Sequence, residues 1–102
     1  MDNSKKQRSD AKSADYDLDQ ILDMLEKHRQ RATYGAVAGV LGRIARGLMQ
    51  GRPKCPRNSW IVSAETLLPT SYGNGEMHRD LQSHRGVLMT PIEVRTWLRA
   101  HS

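Results

Sequence analysis

Between Glu26 and Glu65 the chain has no acidic residue, while Lys27, Arg29, Arg31, Arg43, Arg46, Arg52, Lys54 and Arg57 all fall inside that stretch. These eight cations exceed the net charge of +5 for all 102 residues, so the remainder is net acidic and the basicity is segregated. A block of this kind wants a polyanion. Cysteine is nearly absent as well. Cys55 alone cannot close an internal disulfide, and with four dispersed histidines it offers no recognisable zinc spacing, so no structural metal or cofactor is expected. No apolar run reaches the roughly 20 residues of a membrane span or the roughly 7–15 of a secretory signal, which predicts a soluble, cytoplasmic protein with no membrane partner.

The length suits one small domain with one modest core. Residues 1–14 mix both charges with Ser and Asn and hold almost no large apolar side chain, so a disordered tail is expected there, with the domain over 15–102. Asp17 and Gln20 then form a capping-box pattern. Leu18, Ile21, Leu22 and Leu25 recur at i, i+3, i+4 and i+7, the stripe of an amphipathic helix over about 16–30. Its acids come early and its bases late, the order the helix dipole favours, which reads as a solvated face.

Thr33 is placed to cap a second helix with Ala36, Val37, Val40 and Leu41 on one face, Gly35 and Gly39 allowing close approach, and Gly42 ending it. A third, basic helix is expected over Arg43–Gln50. Its buried side would be Ile44, Ala45, Leu48 and Met49, with Arg43, Arg46 and Gln50 outward and Gly51 and Pro53 closing the run. Helix, tight turn and basic helix make a helix-turn-helix arrangement.

Past the link GRPKCPRN, Ser59–Ser63 and Leu67–Tyr72 read as the two arms of a β-hairpin, with Pro69 putting the second arm at an edge. Met77–His84 reads as a short helix. Thr90, Pro91 and Glu93 combine an N-cap, a first-turn proline and a capping-box acid, and Ile92, Val94, Trp97 and Leu98 supply the stripe of a closing helix. The fold class expected is α+β, a small winged helix-turn-helix with a short hairpin and a C-terminal helix.

These elements carry a resemblance. Arg31-Ala32-Thr33-Tyr34-Gly35-Ala36-Val37-Ala38, followed by a basic helix, a Pro-flanked link and a hydrophobic hairpin, resembles the DNA-binding domain of O6-alkylguanine-DNA alkyltransferases and alkyltransferase-like proteins over roughly residues 16–90. The family motif, Arg-Val-Thr-Thr-Tyr-Gly-x-Ile-Ala, is matched with one residue fewer. The resemblance implies that Thr33 and Tyr34 face DNA, that Arg43, ten residues before Pro53, is the intercalating finger, and that a base is flipped outward. For Tyr34 the residues alone leave two readings open, DNA contact or packing on helix one. Aligning the family's active-site strand on Ile61-Val62 puts Asn58 where the repair enzymes have cysteine, Ser59 at the histidine and Trp60 at the arginine. A base pocket would then be lined by Tyr34, Asn58, Ser59 and Trp60, without the nucleophile of the enzymes. Met77-His78-Arg79-Asp80-Leu81 and Gly86-Val87 resemble a later family segment.

The functional expectation is a non-enzymatic protein that binds duplex DNA through Arg43, Arg46, Gln50, Arg52, Lys54 and Arg57. If roughly four to six cations touch phosphates, log affinity falls against log salt with a slope near −4 to −5. Two other classes compete. One is a winged-helix interaction module or regulator seated on an acidic protein partner. The other is alkyl transfer to Cys55, which needs a thiolate and a proton-accepting histidine; His28 and His78 are each more than twenty residues away in sequence. His28, His78, His84 and His101 read as structural or surface groups, and Trp60 and Trp97 as core side chains.

Overall fold

A computed structural model describes residues 16–83 and 86–101; the tail expected over 1–14 and the residues His84 and Arg85 lie outside the described residues. Three α-helices, α1 (Leu18–His28), α2 (Tyr34–Leu41) and α3 (Pro91–His101), surround three very short strands, β1 (Arg31–Thr33), β2 (Ile61–Val62) and β3 (Val87–Leu88). The class is α+β with a three-stranded parallel sheet in the order β2-β1-β3. In register, Ala32 faces Ile61 and Leu88, Thr33 faces Val62, and Arg31 faces Val87.

The helices begin where their caps dictate. The Asp17 side chain accepts from the Gln20 amide and Gln20 returns the bond to the Asp17 amide, both at 2.8 Å, closing the expected capping box of α1. Leu18, Ile21, Leu22 and Leu25 are all buried. Thr33 Oγ1 accepts from the Ala36 amide at 3.1 Å, and Gly42 ends α2 at φ +66°, in the left-handed region that glycine enters without a Cβ penalty. Thr90 and Glu93 box the start of α3 by the same reciprocal pair. Val94 and Leu98 face the core, whereas Ile92, assigned to the same stripe, is 72% exposed and Trp97 half-buried.

The core is one cluster centred on fully buried Trp60, with Ile21, Leu22, Leu25, Val37, Leu48, Ile61, Leu81, Val94 and Leu98 around it. Arg31 sits on the central strand at 7% exposure and donates to the Leu67 carbonyl at 2.9 Å. Burial pulls its guanidinium below the usual arginine range.

Three expected elements are replaced. The third helix does not form: Arg43 and Ile44 follow Gly42, Ile44 is extended (φ −86°, ψ 129°), and Ala45–Gly47 makes a single 3-10 turn followed by further turns. Gly47 inside the run disfavours a helix by about 1 kcal/mol relative to alanine, and the whole window is too short for propensity to recover it. Its apolar pattern is met otherwise, since Leu48 is buried and Ala45 and Met49 pack on the core, but Ile44 is 80% exposed. The hairpin is absent too. Ile61-Val62 pairs in parallel with β1, while Ser63 and Leu67–Leu68 close a tight turn in which Leu67 takes φ +62°. Buried Pro69 offers no N–H for a second arm. Met77–His84, finally, is a set of turns as far as Ser83, with Leu81 buried in the core and Met77 partly buried against it.

Glycine works at one helix contact. A Cβ on Gly39 would collide with the Pro91 ring at the start of α3, whereas one on Gly35 would meet nothing, so close approach is confined to Gly39. Gly39→Ala should gain about 1 kcal/mol in helix propensity and lose about 1–3 kcal/mol to overpacking against a rigid ring. The expected outcome is a lower urea midpoint than wild type, with Gly35→Ala, at the first turn of α2, unchanged or higher.

Candidate nucleic-acid interface

Acids from elsewhere in the chain fold back onto the acid-free stretch. Arg52 reaches Asp19 of α1 at 2.6 Å, and Arg57 bridges Asp19 at 3.2 Å and Asp23 at 2.9 Å while also donating to the Asp19 carbonyl. Arg29 pairs with Asp80 at 3.1 Å. Arg31 is buried on β1. Four of the eight cations are therefore committed within the fold, and Asp19 and Asp23 of α1 are ion-pair partners as well as part of a dipole-matched face.

Arg43, Arg46 and Lys54 are exposed, and no ion pair to any of them forms among the described residues. Arg43 leaves α2 through its amide, which donates to the Ala38 carbonyl at 2.9 Å, so its position is set by the left-handed cap just before it. Gln50 is exposed and its amide closes a turn onto the Gly47 carbonyl at 3.2 Å. Lys27 is exposed at the end of α1.

Beside this segment lies a hollow of about 350 Å³ lined by Tyr34, Ala45, Arg46, Met49 and Thr70. It is open and largely apolar, with one cationic side chain in its wall. Tyr34 is held there by its hydroxyl, which accepts from the Thr70 amide at 2.9 Å, and its ring packs against the core cluster. Thr33, next to it, is buried with its side chain used as the α2 cap, so it presents no hydroxyl to a ligand. Tyr72 is also close by. Burial, then the neighbouring Cys55, Tyr34 and Glu76, push its phenol up to about 12, so it stays protonated at neutral pH.

The other three residues assigned to a base pocket are placed in the interior. Asn58, Ser59 and Trp60 are 3%, 0% and 0% exposed and form most of a 3-10 turn, Pro56–Trp60, packed against α1. Asn58 donates to the Pro53 carbonyl at 2.9 Å, Ser59 donates to Pro56 at 2.6 Å and accepts from the His78 amide, and the Trp60 ring lies 5.0 Å from that of His78. The side chains of Asn58 and Ser59 are thus spent on backbone groups of the core, and the Trp60 indole N–H is buried without a hydrogen-bond partner among the described residues and out of reach of a surface ligand. Of the proposed pocket, Tyr34 borders this surface hollow, and Asn58, Ser59 and Trp60 are not among its walls. Ala45, Met49 and Thr70, its other neutral walls, were missed because they come together only when 45–49 abandons a helix. Cys55 stands half-buried at the N-cap of the same 3-10 turn.

The hydrogen bond from Arg52, with its charge and that of Arg57, holds the Asp19 carboxyl below its ordinary 3.8. A lowered carboxylate contributes stability above 3.8 and loses it as pH falls below that value toward the folded one. Asp19→Asn should therefore flatten the acid limb of the unfolding profile. The double variant Asp19→Asn/Asp23→Asn should also release Arg52 and Arg57 and steepen the salt dependence of duplex binding by up to about 2 in log–log slope, measured by anisotropy titration. An unchanged slope would mean that the two arginines stay out of reach of a polyanion even without their partners. Searches of family models, of curated proteins and of solved structures find no match to this chain.

Proposed function

We propose that the chain is a non-enzymatic DNA-binding protein that grips duplex DNA with the segment 43–54. The single observation that carries this is the split among its cations: Arg43, Arg46 and Lys54 stay exposed and unpaired among the described residues, although four other cations of the same stretch are committed within the fold. Unpaired guanidinium and ammonium groups on one loop-rich segment release counterions when they meet phosphates, and the entropy of that release drives binding. A helix-turn-helix role for α2 and the turn 45–47 is part of the proposal. Here the 3-10 turn stands where a recognition helix would be, so the contact is a compact tip and not a long helical face.

The motif Arg31–Ala38 resembles that of alkyltransferase-like proteins, which adds the reading that an alkylated guanine is sensed. The receiving place on this surface is the hollow beside Tyr34 and Arg46, whose volume of about 350 Å³ falls in the roughly 300–1,000 Å³ range of ligand sites.

With three unpaired cations in the segment, duplex affinity should fall with salt at a log–log slope of about −2 to −3, shallower than a count along the sequence gives. Arg46→Ala should cost about 1 unit of that slope, and Tyr34→Ala should abolish any preference for O6-alkylguanine duplex over plain duplex while leaving the slope intact. Equal wild-type affinity for the two duplexes removes lesion sensing and leaves general DNA binding. No duplex binding at low salt removes the whole reading and favours an acidic protein surface as the partner.

A further inference from the structure

Ile44 is the most exposed large aliphatic among the described residues, at 80%, on a chain whose other aliphatics largely fill the core. Arg43 precedes it and Arg46 follows two residues on, both exposed. The tip that carries it is anchored on both sides. The Arg43 amide is fixed to Ala38, the Ile44 carbonyl accepts from Gly47 at 3.3 Å, and buried Leu48 with partly buried Ala45 and Met49 pins the turn to the core. A β-branched side chain on such a base has few rotamers to lose on insertion.

We propose that Ile44 is the group that enters the base stack of the bound duplex, an aliphatic wedge pushed between neighbouring base pairs while Arg43 and Arg46 hold the phosphates beside it. The inference rests on the DNA-binding reading and assigns the wedge within it. A guanidinium placed in the stack would leave its phosphate and shed its water, whereas an isoleucine sheds only apolar hydration and gains by burial. Arg43 is thereby a backbone clamp. The burial gain of one isoleucine and the cost of unstacking one step are of similar size, so the diagnostic quantity is base unstacking and not affinity.

The test uses the full chain and a set of duplexes in which 2-aminopurine, bright when unstacked, is stepped through the central positions, with and without O6-methylguanine. Wild type should raise the emission several-fold at one or two positions. Ile44→Ala should bind with the same salt slope and leave the emission near that of free duplex, and Ile44→Leu should restore the rise. Saturating wild-type binding with no brightening at any position, or equal brightening by Ile44→Ala, overturns the wedge and leaves DNA binding standing. Absence of salt-dependent binding overturns both.

Discussion

Everything in this fold hangs from three residues. β1, Arg31 to Thr33, is buried along its whole length, pairs with β2 on one side and β3 on the other, and at its last residue turns into the N-cap of α2. Parallel neighbours oblige the chain to make long crossovers, and those crossovers are where the site residues lie. The first, from α2 through 45–60 to β2, carries the basic segment; the second, from 63 to 86, brings Thr70 to Tyr34 and Leu81 to the core. A strand of three residues holds because Ala32 lies in register between Ile61 and Leu88 within the core and because the Arg31 guanidinium ties it to Leu67.

The charge pattern acquires its meaning only in that frame. Along the sequence the stretch 27–64 is uniformly basic, but α1 packs against the turn Pro56–Trp60, which brings Asp19 and Asp23 within reach of Arg52 and Arg57. Exposed pairs of this kind contribute little stability, typically about 0–1 kcal/mol. Their effect is on what remains. By neutralising one end of the segment they concentrate the uncompensated charge on Arg43, Arg46 and Lys54.

The helices were legible in the sequence because their signals are local. Capping at Asp17, Thr33 and Thr90, and apolar periodicity through α1, act within one or two turns and do not depend on the rest of the chain. The strands were not legible. Two or three residues provide no period to detect, and Arg31-Ala32 is a strand only because Ile61 and Leu88 arrive beside it. The basic helix failed for a related reason: its apolar spacing suits a helix, but Gly47 interrupts it and Leu48 reaches the core from a turn. Tyr34 and Arg46 came out of the sequence as site residues and do border one hollow, whereas Asn58, Ser59 and Trp60 were assigned by alignment to a strand that here is a buried turn.

Losing the helix alters what such a site can do. A recognition helix presents a row of side chains to base edges and so reads several positions at once. A single 3-10 turn and its N-cap present fewer, here Arg43, Ile44 and Arg46, with the Tyr34 hollow alongside. On the proposed reading, three exposed cations and one apolar point of entry would leave little capacity for reading a sequence through its base edges. Discrimination by a surface used in that way would have to come from how easily the duplex opens at the point of contact, and that ease is greatest where a base pair is already weakened. The target that follows from the proposal is a site marked by local instability of the duplex and not by its sequence.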